Sequence, residues 1–174
     1  MKLRSALIAI PATLVLAACG SSTDSDGTTK ETVAPATTTA AATVSCPEFK
    51  SIGDNPAVIE TVRAMPELTE HTPVSVRQST DSDHPGEWAL AVTLCDPSIE
   101  NADDLRPIAT KFAKAVKAQA WTEEVFAVYV SNLWLVDGES TPESRVKDGD
   151  FQMHLWNGKP SEKAENERWE VISG

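Results

Sequence analysis

The sequence predicts an α+β domain: an antiparallel sheet of about four to six strands covered on one face by a long helix, with a short helix near its start. Three observations carry that expectation. The run Asn101–Ala120 places Leu105, Ile108, Phe112 and Val116 at helical spacing. The run Trp88–Cys95 alternates large apolar residues with small ones, as a half-buried strand does. The other β-like runs follow one another through short polar turns, which suits antiparallel pairing.

Taken in order, the elements begin with a short helix that Asp54 caps and Pro56 opens, with Val58, Ile59, Val62 and Met65 on one side and Pro66 marking its end. Pro73–Ser79 alternates Val74 and Val76 with polar residues and reads as a strand. "DSDHPGE", residues 81–87, is a turn rich in Asp, Pro and Gly. In the strand that follows, Trp88, Leu90, Val92 and Leu94 share a face. The other face, Ala89, Ala91, Thr93 and Cys95, is small enough to lie beneath a helix. The long helix at 101–120 has acids at its start, lysines toward its end and Pro107 in its first turn, all in keeping with the helix dipole and its free N-terminal donors. Glu124–Val136 is a strand broken near Ser131-Asn132, and Asp137–Asp150 a polar loop. Phe151–Trp156 is read as a strand with Phe151, Met153 and Leu155 on one face and Gln152, His154 and Trp156 on the other; Arg168–Ile172 is an edge strand.

Ahead of this domain, whose limits are 46–174, lie two segments of different character. Residues 1–18 have Lys2 and Arg4, then an apolar stretch from Leu7 to Leu16, then Ala17-Ala18, the pattern of an export signal too short to span a bilayer. The run Leu16-Ala17-Ala18-Cys19, followed by Gly20 and Ser21, resembles the lipobox of bacterial lipoproteins. The resemblance implies that residues 1–18 are removed and that Cys19 is acylated and becomes the new N-terminus, holding the protein at a membrane on its extracytoplasmic side. Residues 19–45 are rich in Ser, Thr, Ala, Asp and Gly and poor in large apolar side chains, so they are expected to form a flexible tether. Its root-mean-square reach is roughly 25–30 Å.

With Cys19 assigned to lipid, Cys46 and Cys95 remain, and in an oxidising compartment they are expected to pair. The loop so closed contributes on the order of 4 kcal/mol in a chain-entropy model. The chain carries a formal net charge of −11, and loss of Lys2 and Arg4 makes it more negative. Such a charge repels nucleic acid and anionic lipid at long range, so no nucleic-acid partner is expected.

Motifs for chemistry are sparse. The three histidines, His71, His84 and His154, stand in no metal-binding spacing, and no cofactor or metal is implied. There is no Gly-x-Ser-x-Gly elbow and no glycine-rich phosphate cradle. The oxygen donors of the 81–87 turn lack the spacing of an EF-hand and are explained by hairpin chemistry. Tryptophan is the oddity: five against one tyrosine. Trp88 and Trp134 share parity with core residues. Trp156, set opposite Phe151, Met153 and Leu155, and Trp121, just after the long helix, are the candidate exposed contacts; His154 joins them as the histidine a strand could aim at a pocket. The expected function is a membrane-tethered, non-catalytic binding module of the cell envelope, with an envelope protein or glycan as partner. The alternatives are an envelope hydrolase using carboxylates with His154 or His84, and a carrier of a small ligand or lipid.

Overall fold

Asn55, not Asp54, opens the first helix. In the computed structural model, which describes residues 41–174, its side-chain oxygen accepts the backbone N–H of Val58 at 3.3 Å, satisfying one of the donors a helix start leaves free. The expected signal peptide, Cys19 and the tether as far as residue 40 lie outside the described residues. Two short strands precede that cap, β1 (Val44–Ser45) and β2 (Lys50–Ile52). Helix α1 (Pro56–Arg63) buries Val58, Ile59 and Val62, and Pro66 then starts a single turn, α2 (Pro66–Thr69), instead of merely ending the first helix. Strands β3 (Pro73–Thr80) and β4 (Trp88–Leu94) follow, joined by the expected 81–87 turn.

Helix α3 (Ala102–Lys117) has the predicted limits within a few residues. Asn101 caps it twice, accepting from the N–H groups of Asp103 at 2.9 Å and Asp104 at 3.2 Å. A 3-10 turn (Thr122–Glu124) leads into β5 (Val125–Asn132), and the anticipated break after Asn132 separates it from β6 (Leu135–Val136). The chain continues through β7 (Glu139–Ser140), β8 (Ser144–Asp148), α4 (Glu162–Asn166) and β9 (Glu170–Ser173). No helix among the described residues is long and apolar enough to cross a membrane.

The strands form a six-stranded sheet, β2-β3-β4-β5-β8-β9, and a three-stranded one, β1-β6-β7. The larger sheet is mixed and not antiparallel throughout: β2 pairs β3 in parallel, and so does β4 with β5. The reason lies in the connections. Each parallel pair is bridged by helix, α1–α2 in one case and α3 in the other, which carries the chain back to the end where it began. The tight turn between β3 and β4 permits only the antiparallel arrangement.

One face of the large sheet is the core. Val76, Val92, Val130 and Val146 stand in register across four strands, all fully buried, and cluster with residues of α1, α2 and α3. Removing a large member such as Phe112 of α3 would cost about 3–5 kcal/mol. Helix α3 lies over β5, β8 and β9, while α1 lies over β3. The covering is therefore shared, and it falls on the large-residue face of β4. The small face, Ala89, Ala91 and Thr93, has no helix over it, because the bulky face supplies the apolar area the helices need to bury.

The largest departure from expectation is in residues 137–156. The polar loop contains a full strand, β8, and the segment Phe151–Trp156 is no strand: Phe151–Met153 is a 3-10 turn and the rest is irregular. The tether boundary shifts as well, since Val44 and Ser45 pair with Val136 and Leu135.

Candidate functional site

Strand β8 buries Ser144, Val146 and Asp148, so its inward face ends on a carboxylate. A buried carboxylate must be met by donors. Asp148 has three: Oδ1 accepts from His154 Nδ1 at 2.9 Å and from the Asp150 N–H at 3.1 Å, and Oδ2 accepts from the indole N–H of Trp156 at 2.9 Å. An ionised carboxylate only accepts, so the proton of the His154 bond sits on Nδ1. Trp156 is 4% exposed and takes a left-handed backbone, φ +47°, a conformation that bulky residues rarely adopt. Its ring packs on Trp169 at 5.0 Å and meets His154 edge-on at 5.9 Å.

These anchors fix a loop that turns two large apolar side chains outward. Met153 is 80% exposed and Leu155 74%, one on each side of the tethered His154. Phe151, at the loop's entry, is fully buried beneath the ammonium of Lys117, 4.1 Å from its ring. Burial lowers the pKa of Lys117, against the opposing pull of Asp148. Gln152 ties the loop to the 3-10 turn before β5, donating to the carbonyls of Thr122 at 2.7 Å and Val125 at 2.6 Å. The loop is thus held by the buried side chains of Asp148, Phe151 and Trp156 while its tip is apolar and wet.

A brace between α3 and α4 supports the same region. Glu165, 1% exposed, accepts the Gly158 N–H at 2.6 Å on Oε1, and Lys114 Nζ stands 2.8 Å from Oε2. Burial alone would raise the Glu165 pKa. The Lys114 partner and the backbone N–H groups of Gly158 and Asn157 outweigh it and leave the pKa lowered. Trp169 donates its indole N–H to the buried hydroxyl of Thr110 at 3.0 Å, and Arg106 binds the carbonyls of Asn166 and Trp169.

Of the three candidate contacts, His154 is half-buried at this loop and Trp156 lies beneath it, not on the surface as expected. Reading 151–156 as a strand holds for the burial of Phe151 but misplaces Met153 and Leu155, which are exposed, and Trp156, which is buried. Trp121 is half-buried and packs on Trp88 at 5.5 Å, next to the turn that Gln152 grips. The exposed pair Met153 and Leu155 was missed. Its only signal in the sequence is that a strand buried on that parity would need a partner face. Cys46 and Cys95 are joined as a disulfide, with Cα atoms 5.6 Å apart. Cys19 lies outside the described residues.

The other histidines serve local structure. His84 stacks on Phe126 at 4.1 Å and pairs with Glu87 at 3.4 Å. His71 bonds Asp96 at 2.6 Å; burial opposes ionisation of Asp96, but the bonds from His71 and Ser98 prevail and lower its pKa. No group of three or more His, Cys, Asp or Glu side chains converges to hold a metal among the described residues. A cleft of about 560 Å³ opens at the end of β3, lined by Asp54, Asn55, Arg77, Gln78, Trp88 and Glu124 among others; it is polar and lies outside the packed core.

Fold and site together define a disulfide-linked α+β domain with a braced, apolar-tipped loop. No protein-family model, no curated protein and no solved structure matches the chain.

Proposed function

We propose that the chain is a lipid-anchored, extracytoplasmic binding module that engages an envelope protein through the Met153–Leu155 loop. One observation carries the reading: two large apolar side chains stand in water on a loop whose neighbours Phe151, His154 and Trp156 are pinned from below. Exposed apolar groups on a rigid support lose little conformational freedom on docking, so their burial goes into affinity. Each such side chain contributes roughly 1.5–3 kcal/mol when fully buried. The anchor rests on the lipobox at Cys19.

The test is photocrosslinking in intact cells from position 153 or 155. The expected result is a discrete adduct that the Met153→Ser, Leu155→Ser double variant no longer competes for, with the variant's melting temperature unchanged. Crosslinks no different from those at the exposed Lys163 would overturn it. Cys19→Ala is expected to move the protein from the membrane fraction to the soluble one. A hydrolase reading draws on the Asp148–His154 pair, which resembles the base and orienting acid of a catalytic triad. No hydroxyl or thiol is hydrogen-bonded to His154 among the described residues, and Asp148 divides its oxygens among three donors, which favours the structural role.

A further inference from the structure

The face of the large sheet that the helices leave bare has an ordered relief. Directly paired residues point to the same side of a sheet. One row across it therefore reads Ile52, Arg77, Ala91, Tyr129, Lys147 and Glu170, from β2 to β9. The next row contains Lys50, Ser75, Thr93, Ser131 and Arg145. Along β4 this face carries only Ala89, Ala91 and Thr93, while the strands on either side raise Arg77 and Tyr129. The result is a trough floored by small side chains, its walls two strand spacings apart, about 10 Å. Arg77 is exposed, and Ala91, Thr93, Tyr129, Arg145 and Lys147 are half-buried, so the trough is open to solvent over Ala91 and Thr93, while Ala89 at its start is covered, 4% exposed.

Its charge runs against that of the molecule. The chain is acidic overall, with a net charge of −11, yet this face gathers Lys50, Arg77, Arg145 and Lys147. The acids near them are Glu170 at the edge, Glu143, which pairs with Arg145 at 2.8 Å, and Asp54 and Glu124, which line the cleft at the end of β3 together with Arg77. Lys147 stands over the Tyr129 ring at 5.6 Å, so cation and aromatic form one wall.

We propose that this face is a binding site for an extended, acidic polypeptide segment laid along β4. The floor admits a backbone because its side chains are no larger than threonine, and the walls supply cations at the height of that backbone's carboxylates. A bilayer surface is flat on this scale and would touch the walls without reaching the floor. The surface is separate from the Met153–Leu155 loop, and the inference stands without the reading of that loop.

The test uses the full-length chain in detergent and a fluorescent oligo-glutamate peptide of about ten residues, which spans β4 when extended. Anisotropy should show saturable binding that weakens steeply on raising NaCl to about 0.5 M. The Arg77→Gln, Lys147→Gln double variant should lose about tenfold in affinity. Ala91→Leu should lose a similar factor with no change in charge, since it fills the floor. Lys111→Gln with Lys163→Gln, two exposed lysines elsewhere, should bind as wild type. Absence of peptide binding, an Ala91→Leu variant that binds normally, or binding to phosphatidylglycerol vesicles without binding to the peptide would each overturn the proposal. Circular dichroism of each variant checks that the fold is kept.

Discussion

Trp156 donates its indole N–H to Asp148 Oδ2 at 2.9 Å, with both side chains almost wholly removed from solvent. The bond closes an eight-residue excursion between the end of β8 and the irregular segment before α4. Trp156→Phe keeps most of the apolar volume but leaves a buried carboxylate oxygen short of a donor. It should lower the unfolding free energy by about 1–3 kcal/mol, read from urea denaturation. Asp148→Ala should cost more than that, because it strands the donors of Trp156, His154 and Asp150 together. An unchanged midpoint in both variants would mean that the loop is not held from below.

Acid should weaken the fold partly through Glu165. Its pKa in the folded protein is lowered, so the stability it contributes is fully present above the ordinary glutamate value and is lost as pH falls through the folded one. Between about pH 5 and pH 3 the wild type should therefore lose stability more steeply than Glu165→Gln. The variant starts from a lower stability at neutral pH, since half-buried Lys114 has lost its charge partner. Asp96, lowered in the same sense, adds to the acid loss in both proteins and does not mask the difference. Parallel pH profiles would remove Glu165 from the account.

Reduction of the Cys46–Cys95 bond releases a long loop, and the Cys46→Ala, Cys95→Ala protein should be less stable by roughly 3–4 kcal/mol. Thermal melts with and without reductant test this. The wild type should fall to the level of the variant, and the variant should not respond.

Asn101→Ala should cost about 1 kcal/mol by freeing the Asp103 and Asp104 N–H groups at the start of α3. Asn101→Asp should restore most of it. Equal destabilisation by both would show that the side-chain oxygen is not the stabilising group.

Where the sequence was legible, one physical signal dominated. Helix α3 declared itself through apolar spacing, acids at its start and Lys114 and Lys117 in its last turn, and β4 through strict alternation. Strand β8 failed that criterion because its buried side is Ser144, Val146 and Asp148, and only one of these is apolar. The hydrogen bonds that make burial of Asp148 tolerable come from residues beyond the strand, where no local pattern records them. The alternation in Phe151–Trp156 misled for the converse reason: it mimics a strand, but Asp148 draws His154 and Trp156 inward and turns Met153 and Leu155 out. The parallel pairs were hidden too, since periodicity identifies strands but not their direction. Of the three candidate contacts, Trp156 is buried and Trp121 and His154 are half-buried, because the hydrogen bonds and ring packing that place them come from other elements of the chain.

The disulfide has a mechanical consequence. Tension arriving from the N-terminal side would first open the two-residue ladder of β1 against β6 and then reach Cys46. From there the covalent path leads directly to Cys95, at the end of β4 in the middle of the large sheet, and not into β2 at its rim. Residues 47–94, including the short edge strand, α1, α2 and β3, lie in a loop that carries none of that load. A pull on the chain thus bypasses the parallel edge pair of β2 and β3 and passes through the disulfide to the segment that leads into α3, so the weakest edge of the sheet is spared from peeling.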